Sequence, residues 1–127
     1  MPVTSADFLQ FAKDCVDRKD EIGYRNAIAR AYYSAYHHVA PCLKNGPKDS
    51  HQGLVDYLIT DAWKGNEAFA KQDLIGLGYM LRTLKDQRVI SDYRLNDQVT
   101  EVQSKTAIKT VENLIEKCAQ MTKSVAS

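Results

Sequence analysis

Apolar residues recur at three- and four-residue spacing along almost the whole of this chain, and only short polar stretches interrupt the pattern. That spacing lines one face of a 3.6-residue helix, whereas on a strand it would scatter side chains over both faces. It therefore restricts the chain to helices that pack on helices. Pro2, Pro41 and Pro47 are the three prolines, so long helices are tolerated over most of the length. Alternating β-branched residues are absent, and the one Asn-Gly pair, Asn45-Gly46, follows a long helical pattern instead of joining two strands.

The spacing predicts a first helix over residues 4–18, capped by Thr4 or Ser5, with Asp7 at its positive end and an apolar stripe of Phe8, Phe11, Ala12, Cys15 and Val16. A second helix is predicted over residues 20–43, striped by Ala27, Ile28, Ala31, Tyr32, Ala35, Val39 and Leu43. Pro41 is expected to bend or end it early, and Gly46 to take a left-handed cap. A shorter third helix starts near Ser50 and carries Leu54, Val55, Leu58 and Ile59; residues 61–67 read as a loop. A fourth helix, residues 68–93, buries Leu74, Leu77, Leu81 and Leu84, with Gly76 and Gly78 marking a close helix–helix approach. The last, residues 97–123, buries Val99, Val102, Ile108, Val111, Leu114, Ile115, Cys118 and Met121.

Stripes of this kind must be covered by one another. The fold class expected is all-α: one domain over residues 1–127, an up-and-down bundle of four long helices and one short one. Hydrophobic residues at 44% and charged residues at 26% suit a soluble domain with its own core. No apolar run reaches the roughly 18 residues of a membrane span, and the first residues lack a signal-peptide pattern. The expected location is the cytoplasm, with no membrane partner. Cys15, Cys42 and Cys118 are widely spaced, so neither a disulfide framework nor a metal site is expected. Cys15 and Cys118 fall on apolar stripes, while Cys42 lies near a helix end. A net charge of +1 removes the simplest argument for nonspecific nucleic-acid binding, a large basic excess.

Chemistry concentrates in the segment from Arg25 to His38. Seven residues along a helix return to nearly the same face, so Arg30 and His37 point the same way with Tyr33 between them, and Asn26 extends the row by one turn. An imidazole that moves a proton near neutral pH, beside a guanidinium that holds a phosphate, is a combination able to cleave RNA through the substrate's own 2′-hydroxyl without a metal. The plainer alternative is that Tyr32, Tyr33 and Tyr36 pack against neighbouring helices while Arg30 and His37 make polar contacts at the edge of the core. Arg82, Lys85 and Arg88 form a basic strip on the fourth helix. Asp92 and Tyr93 are candidates to pair with Arg30 or another arginine of the second helix. Trp63 is expected to fold back over the core. His37-His38 does not have metal-ligand spacing, and no metal or cofactor is expected.

The run Arg30-Ala31-Tyr32-Tyr33-Ser34-Ala35-Tyr36-His37 resembles the "RAYYAAFH" helix of HEPN domain proteins. Arg88-Val89-Ile90-Ser91-Asp92-Tyr93 is similar to the family's late "RxxADY" element, and Ser50-His51-Gln52-Gly53 sits where the family often has a histidine-containing helix start. The three elements agree in order over roughly residues 5–120. The resemblance implies a homodimeric helical bundle with a groove between subunits, often beside a nucleotidyltransferase-like or antitoxin partner in a toxin–antitoxin or defence-type system. Catalytic members are metal-independent ribonucleases marked by an arginine and a histidine with four to six residues between them, a pattern that Arg30 and His37, with six between them, meet.

Three readings follow. The first is a dimeric module binding a nucleotide, RNA or protein partner, with Asn26, Tyr33, Arg88 and Asp92 as binding residues. The second is an endoribonuclease using Arg30 and His37, and the third is an adaptor or immunity-type protein with no nucleic-acid ligand. Arg82, Arg88 and Arg94 have no histidine downstream, which places the binding module first.

Overall fold

In the computed structural model, which describes residues 2–126, the chain forms five α-helices and no strand among the described residues. They are α1 (Ser5–Val16), α2 (Glu21–Val39), α3 (His51–Thr60), α4 (Lys71–Tyr93) and α5 (Glu101–Ala126). None of them is long and apolar enough to cross a membrane. The helix starts follow capping chemistry. Asp7 Oδ2 accepts the Thr4 N–H at 2.8 Å before α1, Asp20 Oδ1 accepts the Gly23 N–H at 2.9 Å in α2, and Ser50 Oγ accepts the Gly53 N–H at 2.8 Å in α3. Thr100 and Gln103 form the reciprocal pair at the start of α5, at 2.8 and 3.2 Å.

Helix α2 is the centre of the bundle, packed against α1, α4 and α5, while α3 lies on α4. Side-chain contacts give the directions. Ser34 Oγ donates to the Ser5 carbonyl at 2.8 Å, and Gly23 lies against the Cys15 carbonyl, so α1 and α2 run antiparallel. Lys19, just before α2, pairs with Glu101 at the start of α5, and α5 packs closely on α2; these two helices run parallel. Helix α5 thus packs chiefly on α2 and only lightly on α4, its neighbour in sequence. At the far end, Lys117 ties it to Asp73 of α4 at 3.2 Å.

The α2 and α4 stripes are buried as their spacing predicts. Two positions differ. Phe11 is 53% exposed and Val102 72% exposed, whereas Leu9 is buried. Leu9, Ala12 and Val16 form the centre line of the α1 face that meets α2, which turns Phe11 outward and leaves Phe8 at the edge. Val102 lies within the first turn of α5 on the side away from buried Ser104, Ala107 and Ile108.

Helix α2 ends at Val39, before residue 43, and Ala40–Cys42 tighten into a 3-10 turn. The ring of Pro41 clashes with an α-helical continuation and Pro41 has no N–H to give. Gly46 does not adopt a left-handed backbone; among the described residues Lys19 and Gly65 do, at φ 60° and 87°. The turn around residue 46 is held instead by Glu67, whose carboxylate accepts the N–H groups of Lys44 and Asn45 at 2.7 and 2.8 Å and the Tyr57 hydroxyl at 2.5 Å. The loop before α4 consequently extends beyond residue 67 to Ala70. Within it Trp63 folds back, donating from Nε1 to the Ile59 carbonyl at 2.8 Å, with Lys71 over its ring.

The glycines of α4 behave differently from each other. A Cβ on Gly78 would lie 2.6 Å from Ile59 Cγ1 and 3.1 Å from Leu58 Cβ, so only glycine lets α3 and α4 approach this closely. Gly76 faces the flexible end of Lys117.

Candidate functional site

The exposed side of α2 gathers the aromatic and basic groups that the sequence singles out. Arg30, Tyr33 and His37 form one row: the Arg30 guanidinium lies 4.9 Å from the Tyr33 ring centre, and the rings of Tyr33 and His37 stack at 6.3 Å. His37 is exposed. Its other face is covered by Phe8 of α1, with ring centres 5.2 Å apart. Phe8 counts in the sequence as a core residue, and its role against an imidazole has no signature in helical spacing.

Helix α4 brings a second guanidinium to the same ring. Arg88 lies 5.4 Å from the centre of Tyr33 and is ion-paired through Nε with Asp92 Oδ2 at 2.9 Å. The partner of Asp92 is therefore an arginine of its own helix, one turn away, and not Arg30 or another arginine of α2. The Tyr93 ring also sits against Arg88, at 5.6 Å, and is otherwise exposed. Arg30 Nε and Arg88 Nε are both buried with no hydrogen-bond partner among the described residues, the closeness of Asp92 to Arg88 being an ion pair alone. Two cations on one ring repel each other; Asp92 offsets Arg88, and Asp7 lines the groove beside Arg30.

His51, the first residue of α3, completes the cluster. Its ring stacks on Tyr36 at 4.0 Å, and the Tyr32 hydroxyl meets its Nδ1 at 2.5 Å. Burial pushes the Tyr32 phenol well above its ordinary range, so Tyr32 keeps its proton. The imidazole of His51 is held below its usual value by burial first and then by the positive fields of Arg88, His37 and Lys85. Lys85 itself donates to Gln52 Oε1 at 3.1 Å, beside His51. In the sequence His51 stands out only through the family resemblance; that it joins the α2 tyrosines depends on where α3 docks.

Not every candidate lies here. Asn26 is exposed and turns its amide back to the Ile22 carbonyl at 2.8 Å, away from the cluster. Arg25, its neighbour, is buried and holds the end of α4. Arg82 stacks on Tyr79 at 4.6 Å.

The histidines make stability depend on pH. Burial lowers His38 as well, whose Nδ1 meets Ser5 Oγ at 3.0 Å. A lowered native pKa means that the unfolded chain takes up the proton first. Stability is then full above about 6.5, the ordinary histidine value, and falls as pH drops below it. Thermal denaturation followed from neutral to mildly acidic pH should show this loss, and His51→Gln should flatten it. An unchanged slope in the variant would remove His51 from the account.

Compared with protein-family models, with curated proteins and with solved structures, the chain matches none.

Proposed function

We propose that this protein is a HEPN-like module that binds the phosphate groups of RNA or a nucleotide on the face formed by Arg30, Tyr33, His37, His51, Lys85 and Arg88. The observation that carries this reading is the convergence of two guanidiniums, from α2 and α4, on the single ring of Tyr33. Arginines fork onto phosphate oxygens with charge-assisted hydrogen bonds. An anion between Arg30 and Arg88 would relieve their repulsion and satisfy the buried Arg30 Nε. The stacked rings of Tyr33, His37 and Phe8 form an aromatic edge beside the two arginines against which a base can pack. Phe8, exposed Phe11 and Val3 border Arg30 together with Asp7, a mostly apolar rim of the kind a second copy would cover, in keeping with the dimer that the family resemblance implies.

Binding of a fluorescent single-stranded RNA, or of a labelled nucleotide, in EDTA tests this reading. Arg30→Ala and Arg88→Ala should each weaken binding by about ten- to a hundredfold, the worth of roughly 1.5–3 kcal/mol for charge-assisted bonds. For RNA, each should also reduce the dependence of affinity on salt by about one phosphate contact. Binding unaffected by either variant, or no binding of either ligand by the folded protein, refutes the site and leaves the adaptor reading.

A second reading, the metal-independent endoribonuclease, is favoured by one observation: His37 is exposed on the same row as Arg30, where an imidazole can reach a substrate. The same RNA incubation decides it. Cleavage in EDTA that disappears in His37→Ala establishes the enzyme, and intact RNA leaves the binding module.

A further inference from the structure

The Tyr33 ring has two imidazoles about it as well as two guanidiniums. His37, from the same helix, lies 6.3 Å from its centre, and His51, from α3, lies edge-on at 5.8 Å. Both imidazoles also meet the ring one turn further along α2: His51 stacks on Tyr36 at 4.0 Å, and His37 approaches it edge-on at 5.3 Å. With Arg30 and Arg88 at 4.9 and 5.4 Å, Tyr33 gathers two phosphate-holding groups and two proton carriers from three helices. Each imidazole is held in place. Phe8 and Tyr33 stack on His37, while Tyr36 and the Tyr32 hydroxyl, 2.5 Å from Nδ1, fix His51. His37 is exposed and His51 half-buried, so both are open to a substrate.

We propose that His51 is a second proton-transfer residue for metal-free RNA cleavage at this face, taking the 2′-hydroxyl proton while His37 delivers one to the leaving 5′-oxygen. The proposal rests on the ribonuclease reading and supplies the group that reading lacks. Attack by the 2′-hydroxyl needs a base at the entering oxygen and an acid at the departing one. These two oxygens lie roughly in line through phosphorus, so one imidazole does not serve both at once. His51 suits the base, because burial, and then Arg88, His37 and Lys85, hold it below the ordinary histidine range and keep it uncharged at neutral pH. In this role Nδ1–H donates to the Tyr32 oxygen, and Nε2 carries the lone pair that takes the proton.

The step balances without a co-reactant. The 2′-oxygen bonds to phosphorus as its proton passes to His51 Nε2. The P–O5′ bond breaks, and the 5′-oxygen takes a proton from protonated His37. The products are a 2′,3′-cyclic phosphate and a 5′-hydroxyl. His51 ends charged and His37 neutral, and exchange with water restores both. Arg30 and Arg88 hold the phosphate oxygens meanwhile.

The test incubates the full chain in EDTA with single-stranded RNA, and separately with uridine 3′-(4-nitrophenyl phosphate), whose leaving group departs without a proton. The parent should leave 2′,3′-cyclic phosphate ends on RNA. His51→Gln should slow both substrates at saturation by about a hundredfold or more, with a much smaller loss of RNA binding. His37→Ala should lose RNA cleavage yet keep most of its rate on the activated substrate. Tyr32→Phe, which keeps the ring and removes only the hydroxyl at Nδ1, should slow both by about tenfold; it decides the matter if His51→Gln folds poorly. Parent-like RNA cleavage by His51→Gln, its rescue by the activated substrate, or an unslowed Tyr32→Phe overturns the assignment of His51. RNA bound but left intact by the parent overturns it together with the ribonuclease and leaves the binding face. RNA neither bound nor cut removes the face as well.

Discussion

Arg25→Ala should cost about 3–5 kcal/mol of stability, the scale on which removing one partner from a buried charged network is felt. The guanidinium is buried inside α2 yet serves α4. Nη1 donates to the carbonyls of Ile90, Ser91 and Arg94 at 3.4, 2.9 and 3.2 Å. Nη2 donates to those of Arg94 and Leu95 at 3.2 and 3.5 Å, and closely to that of Asp97. Nε pairs with Glu21 at 3.0 Å. The last turn of α4 has no basic residue of its own, so Arg25 supplies from another helix the positive charge and the donors that a helix C-terminus lacks. Alanine would leave the buried Ser91 carbonyl without its donor and strand Glu21. Arg25→Lys should recover only part of the loss, because one ammonium cannot span so many carbonyls. Urea denaturation followed by circular dichroism measures both variants; an alanine variant within about 1 kcal/mol of the parent would show that water replaces these bonds cheaply. Because Arg88 and Asp92 sit in the turns that Arg25 anchors, RNA or nucleotide binding should weaken in the same variant.

Gly23→Ala should also destabilise, by about 1–3 kcal/mol, although alanine is the better helix former by about 1 kcal/mol. The added Cβ would lie 2.4 Å from the Cys15 carbonyl oxygen and 2.8 Å from Asp20 Oδ1. The first is backbone and cannot swing aside, and the second is the cap that accepts the Gly23 N–H. Relief requires α1 and α2 to part where they turn, which strains Lys19 in its left-handed conformation. Overlap outweighs propensity here. Gly76→Ala is the control with the opposite sign: its Cβ would meet only the end of Lys117, 3.3 Å away. Propensity should then dominate, with a gain of up to about 1 kcal/mol. Thermal midpoints that move the same way in both variants would contradict the steric argument.

Helix positions, the buried stripe of α2, the caps at Thr4 and Ser50 and the close approach at Gly78 were legible in the residues alone. Each depends on interactions within a few positions along the chain, or on a period that any amphipathic helix repeats. The row of Arg30, Tyr33 and His37 belongs to the same class, since one helix sets it. Periodicity is weaker at the edges of a stripe, where one step of 100° separates core from solvent; that is why Leu9 is buried and Phe11 is not.

Long-range pairing was decided by the tertiary structure. The pattern from Arg25 to His38 does not reveal that Arg25 caps a helix more than sixty residues away. Asp92 turned to Arg88 because an i, i+4 neighbour was already within reach. His51 joined Tyr32 and Tyr36 through the docking of α3 on α4, and Arg88 joined Arg30 on one ring through the docking of α4 on α2. A single sequence records which face of a helix is apolar, and by itself determined this protein's helices and their buried faces. Which residues meet across those faces follows from how the helices cross, because many pairings bury nearly the same apolar area and only packing of the particular side chains chooses among them.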